Sequence, residues 1–177
     1  YYNNILENIK NSRKFEYIVI HHSTTIDGKL NDYQSMYNWH TGKIGSANKD
    51  SKDYNQYVKN PMVDIAYNLV IEEENSELLL KFGRNFNIYG AHALGFNGQN
   101  PKFSALGICL TGNYDIKEPD FNRLYFLFKI IKFLMNYYSI KKENIIGHRE
   151  TYIIQNIPIQ KTCPGKLFNL TEFRKFF

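Results

Sequence analysis

Apolar and polar positions fall into blocks along the chain, and the period of each block predicts an element. "FEYIVIHHS" (15–23) is a continuous β-branched and aromatic run, the composition of a buried strand, and it ends on two histidines. "LNDYQSMYNWH" (30–40) spaces its apolar residues at helical intervals, and a long polar, glycine-bearing loop follows it, ending at Pro61. "IAYNLVIE" (65–72) and "ELLLKFG" (77–83) read as two strands of a hairpin turning through "EENS". "GAHALGFNGQNP" (90–101) is loop-rich, and "FSALGICLTGN" (103–113) is apolar enough for a central strand.

From Pro119 to Tyr138, apolar residues at 121, 124, 127, 128, 131, 134, 135 and 138 mark a helix face against a core, with Pro119 suited to the first turn. "NIIGH" is a short strand delivering His148 at its carboxyl end, followed by a loop. "NLTEFRKFF" is a closing helix with Asn169 and Glu172 spaced as a capping box. Strands interleaved with helices, and no internal repeat or linker, point to one α/β or α+β sheet domain, which suits a chain of 177 residues.

Composition narrows the class. Hydrophobic residues at 43% and 14 Tyr with 13 Phe exclude a disordered chain and favour an aromatic-rich interior or a ring-lined groove. A net charge of +5 would draw nucleic acid, anionic membranes or anionic wall polymers without choosing among them. The basic residues are dispersed, however, and no recognition helix or RNA motif is present, so nucleic acid is not the expected partner. The apolar stretch "LYFLFKIIKFLM" is interrupted by Lys129 and Lys132 and is too short for a bilayer, so no membrane insertion is expected. Two cysteines are too few for a disulfide framework. The chain opens at Tyr1 with no charged-then-apolar leader, as a processed or trimmed piece would, so the targeting segment is expected to lie outside it.

The chemistry-bearing candidates are His21, His22, His148 and Cys163. Successive strand side chains face opposite ways, so His21 and His22 cannot both serve one site. Two imidazoles and a thiolate would suit a catalytic zinc with its fourth position open. The positions 21, 148 and 163 match no compact zinc ribbon or finger, and a histidine ending a strand is commonly a core residue. Cys109, inside an apolar strand, reads as an inert core thiol.

Six blocks, "IVIHHSTT", "DIAYNLVIE", "GAHALGFN", "ALGICLTGNYD", "IIGHRE" and "KTCPG", together resemble the zinc-dependent N-acetylmuramoyl-L-alanine amidases, the family that includes small phage lysozyme-type amidases and the peptidoglycan recognition proteins. The resemblance runs from about residue 16 to about 170. It implies an α/β fold in a single domain, 1–177, with a central mixed β-sheet flanked by helices and a zinc site in a cleft at one edge of the sheet. It implies Zn2+ held by His21, His148 and Cys163, catalytic roles for Lys161 and Tyr67, and groove contacts from His92, Arg84 and Asn97. Asn68, where some members carry histidine, takes no catalytic role, and Pro164 with Gly165 turn the chain around the metal.

The implied reaction is hydrolysis of the amide between the lactyl group of N-acetylmuramic acid and L-alanine in peptidoglycan, by a monomer acting at the bacterial cell wall. A peptidoglycan-binding module without activity is the alternative on the same scaffold, and it typically lacks the cysteine that is present here. Two segments depart from the compact members: the polar loop between His21 and Tyr67, and a longer loop between His148 and Cys163. Both are expected to rim the cleft.

Overall fold

In the computed structural model, residues 2–25, 32–43, 60–98 and 103–177 are described. Most of the polar loop expected after the second predicted element, residues 44–59, lies outside them.

Among the described residues, five strands form one sheet: β1 (Tyr17–His22), β2 (Leu69–Glu74), β3 (Glu77–Phe82), β4 (Ala105–Leu110) and β5 (Ile145–Gly147), in the order β3-β2-β4-β1-β5. β2, β4, β1 and β5 run parallel and β3 antiparallel to β2, so the sheet is mixed, as expected. The β2–β3 hairpin turns on Asn75 and Ser76 alone, with φ of 50° and 65°. Two consecutive positive φ values match the right-handed twist of the flanking strands, which is why so short a connection closes the pair.

Among the described residues, five α-helices flank the sheet: α1 (Tyr2–Ile9), α2 (Tyr33–His40), α3 (Phe121–Tyr138), α4 (His148–Ile154) and α5 (Leu170–Arg174). In α3 the Asp120 side chain accepts from the Arg123 backbone N–H, so Asp120 is the cap and Pro119 stands outside the first turn. In α5 Asn169 accepts from the Glu172 N–H at 3.1 Å, while Glu172 turns to Lys175 rather than closing a reciprocal box. The first helix and the fourth were not foreseen. α1 presents only Ile5 and Ile9 to the core, and α4 begins on the residue expected to end a strand. No helix among the described residues is long and apolar enough to cross a membrane.

The two faces of the sheet are unlike. Ile18, Ile20, Leu69, Ile71, Leu106, Ile108 and Leu110 point to one face and pack with α1, α3 and α5 in a single large core. The other face carries two small clusters. Val19, Ala105 and Ile146 meet Ala93 and Phe96, while Val70 and Cys109 meet Ile65 and Met36 of α2. Between these clusters lie His21 and Gly107 of the sheet, and the polar side chains of the site gather there.

Candidate metal centre

Three elements bring the cluster together. β1 and β5 pair in parallel, Ile20 opposite Gly147, so the next residue on each, His21 and His148, arrive side by side at the carboxyl ends of the strands. Their ring centroids are 4.8 Å apart. Cys163, in the loop after α4, places Sγ 3.6 Å from His21 Nδ1. One ligand atom from each of His21, His148 and Cys163 lies within 4.8 Å of the others, and all three residues are buried. β5 is the edge strand, so the cluster sits toward one edge of the sheet.

The cysteine loop is held by hydrogen bonds rather than by apolar packing alone. Arg149 takes the Cys163 carbonyl with its backbone N–H at 2.8 Å, and its guanidinium donates to the carbonyls of Thr162 (3.0 Å), Gly165 (2.5 Å) and Phe168 (3.0 Å). Asp115, on the loop after β4, accepts from the Thr162 hydroxyl and the Lys166 N–H, each at 2.8 Å. Gly165 has φ of 117° and its Cα lies against the Tyr114 backbone, so a side chain there would collide as well as strain the turn.

Burial sets the protonation states. It holds the His21 imidazole well below its ordinary value, reinforced by His148 and His92. His148 is pushed down to about 4, by burial first and then by the Lys161 ammonium. Burial raises the Cys163 thiol to about 12, against the pull of the His22 backbone N–H, Lys161 and Arg149. Two neutral imidazoles and a thiol, with no carboxylate or ammonium bonded among them, are the donor set that zinc prefers, and the thiol gives up its proton on binding. The residues present fit that metal.

The other expected residues divide. Tyr67, just before β2, sets its ring 5.0 Å from that of His21. Lys161 is exposed, and its charge reaches His21, His148 and Cys163. Strand parity operates as anticipated: His22 points to the opposite face, where Nδ1 accepts from the Tyr114 N–H at 3.1 Å. Asn68 is fully buried and bridges the Gly107 N–H and the Arg84 carbonyl, a structural position.

The three residues expected in the groove are engaged elsewhere. His92 is 6% exposed and lies behind His21, with Nδ1 3.1 Å from His21 Nε2 and Nε2 3.3 Å from the Ala105 carbonyl. Arg84 donates to the carbonyls of Ile65, Tyr89 and Asp64 at 2.8, 3.1 and 3.0 Å, bracing the segment that carries Tyr67. Asn97 Oδ1 accepts from the His92 and Ala93 backbone N–H groups at 2.9 and 3.0 Å. Apart from His92 Nδ1, which meets His21, these polar atoms face the protein's own backbone because the loops they hold must bury peptide groups against the sheet.

Residues not foreseen also border the site. His40 closes α2, accepts from the Ala66 N–H at 3.3 Å and packs edge-on to Tyr67 with centroids 5.6 Å apart. Tyr152 stacks on His148 one helical turn away, at 5.7 Å. Cys109 pairs in register with His21 and so shares its face. Its thiol is pushed well above its ordinary value by burial and by Cys163, against a hydrogen bond from Tyr67. The helical end of α2 was the one available signal for His40; Tyr152 had none once α4 was read as loop.

The architecture recurs in solved structures. An endolysin N-acetylmuramoyl-L-alanine amidase from Clostridium intestinale URNW superposes with a TM-score of 0.60 at 21% identity, over 92% of this chain and 83% of that one. Drosophila PGRP-LB gives 0.57 at 24% identity, covering 90% and 82%. The endolysin of the Thermus scotoductus bacteriophage Ph2119 gives 0.59 at 15% identity, covering 93% and 86%. At such identities the likeness is one of fold, and no curated protein sequence matches the chain. Residues 11–166 do match the family model described as N-acetylmuramoyl-L-alanine amidase, a range that spans all five strands and every member of the cluster, and the chain belongs to that family.

Proposed function

We propose that this protein is a zinc-dependent N-acetylmuramoyl-L-alanine amidase, hydrolysing the amide between the lactyl group of N-acetylmuramic acid and L-alanine in peptidoglycan. The observation that carries the reading is the buried His21–His148–Cys163 cluster in a chain of the amidase family. When bound by these three residues, zinc supplies a Lewis acid and activates water at neutral pH.

The chain's own residues do the rest. His21 and His148 stay neutral and hold their lone pairs for the metal, and Cys163 binds as thiolate. Lys161 turns its ammonium toward the amide oxygen, where negative charge grows as the carbonyl carbon becomes tetrahedral. The Tyr67 hydroxyl supplies a second donor to that oxygen or passes a proton to the departing L-alanine nitrogen. Residues 1–177 act as one catalytic domain, as a monomer at the bacterial cell wall, and the charge of +5 favours approach to an anionic polymer over any nucleic-acid role.

The test joins metal analysis of the purified protein with mass spectrometry of digested peptidoglycan. About one zinc per chain, and released stem peptides with a free N-terminal alanine, are expected. Peptidoglycan bound but left intact by zinc-loaded protein would replace the amidase with a recognition module on the same scaffold.

A further inference from the structure

We infer that His92 is a positioning residue for His21: a second imidazole, anchored on the backbone of β4, that decides which ring nitrogen His21 offers to the metal. The inference rests on the metal centre proposed above.

The assignment follows from which groups can donate. The Ala105 carbonyl only accepts, so the His92 nitrogen that faces it at 3.3 Å, Nε2, carries hydrogen. Among the described residues the His92 ring nitrogens meet the Ala105 carbonyl and the His21 ring, and no carboxylate is bonded there to balance a positive charge. A neutral imidazole has one donor and one acceptor. Nδ1 of His92 is therefore the acceptor, and His21 Nε2, 3.1 Å away, is the donor. The remaining nitrogen of His21, Nδ1, is left with its lone pair free, and it is the atom 3.6 Å from Cys163 Sγ. A relay from Ala105 through His92 thus fixes the His21 tautomer in the form a metal requires.

The surroundings are shaped for this ring. A Cβ at Gly107 would stand 2.6 Å from the His92 imidazole, so the glycine in β4 makes the space the ring occupies. Asn97 Oδ1 holds the His92 backbone N–H at 2.9 Å, fixing where the side chain starts. A metal-bound histidine commonly gives its second N–H to a carboxylate, a carbonyl or water. An interposed imidazole extends the reach of a carbonyl on the neighbouring strand and adds no negative charge behind the ligand.

The experiment measures Zn2+ affinity by chelator competition, with KM and kcat, for wild type, His92→Ala, His92→Gln and Gly107→Ala. In parallel, long-range 1H–15N spectra of the metal-free wild type read the tautomers. Loss of an outer partner typically weakens metal binding about 10- to 100-fold, and that loss is expected for His92→Ala and Gly107→Ala. His92→Gln should recover much of it, because its amide offers one acceptor and one donor. The spectra should show hydrogen on Nε2 of both His21 and His92. Hydrogen on His21 Nδ1 would overturn the inference, as would His92→Ala that binds zinc as tightly as wild type and raises only KM. That last outcome would make His92 a substrate contact and leave the metal centre standing, whereas wild type that takes up no zinc removes both.

Discussion

Replacing Arg149 by alanine removes the guanidinium that ties the cysteine loop to α4, and the cost can be worked from its three donations. They reach the carbonyls of Thr162, Gly165 and Phe168, while the backbone bond from Arg149 N–H to the Cys163 carbonyl survives the substitution. A hydrogen bond from a charged donor contributes about 1.5–3 kcal/mol. The site is half-buried, so each bond belongs near the low end, and together they come to about 4.5 kcal/mol. In the metal-free variant the loop can open locally and escape part of that loss. Zinc binding must then order the loop again, so the escaped part returns as weakened affinity, at 1.4 kcal/mol per tenfold.

The sum is fixed by the thermodynamic cycle even though the division is not. Urea denaturation of the apo protein gives the first part and chelator competition the second. The two together should reach about 4.5 kcal/mol. Arg149→Lys should recover about one bond of the three, because a compact ammonium cannot span carbonyls fanned around a planar fork. A combined loss below about 1 kcal/mol would mean that the loop is held by its packing and that the guanidinium is incidental.

Lys161→Ala should keep zinc and lower kcat about 100- to 1,000-fold, the usual cost of one oxyanion donor; near-normal turnover with zinc bound would make the lysine a bystander. Cys163→Ala should lose the metal by elemental analysis, while Cys109→Ala keeps it at a stability cost of roughly 1–2 kcal/mol for a small buried truncation. Zinc lost equally from both would show that the two thiols share the site. All five histidines are buried, with His22, His40 and His148 pushed down to about 4 and His92 to about 3. An unfolded chain takes up those protons near pH 6.5 and the folded one does not until about pH 4, so the metal-free protein should lose stability as pH falls through that window, by about 1.4 kcal/mol per unit for each histidine. A melting temperature that stays flat between those values would contradict the burial.

The sequence disclosed those parts of the fold whose signal is long or strictly periodic. α3 repeats its apolar spacing over 18 residues, β1 is apolar up to its two closing histidines and β4 is apolar throughout, so their types and approximate limits were legible. α4, at seven residues, completes barely two turns, too few for a period to stand out from a loop, whereas α1 and α2 are both eight residues long and only α2 was read as a helix. Pairing of His21 with His148 is a property of the β1–β5 register, which sits in neither segment by itself. The resemblance named both residues, and the geometry supplied the reason they meet. The resemblance gave His92, Arg84 and Asn97 as groove contacts, and in the structure their polar atoms meet partners within the protein. The segments that carry them are folded against the sheet, where their backbone must find partners.

That arrangement also explains why the site can be so polar. The large core on one face, where α1, α3 and α5 cover the strands, is the main apolar assembly. The opposite face is thereby free to break its apolar cover into two small clusters and admit His21, His92 and His148 between them. Burying those imidazoles neutral would be costly if they were left to find partners, but Arg84, Arg149 and Asn97 spend hydrogen bonds on backbone near them, and Asp115 holds the Thr162 hydroxyl and the Lys166 N–H. The loops are thus fixed before any metal arrives, and a donor set held within 4.8 Å needs little further ordering to close on one. The polar groups around the centre therefore act on metal affinity chiefly through position: their removal should weaken zinc binding before it alters the chemistry that zinc performs.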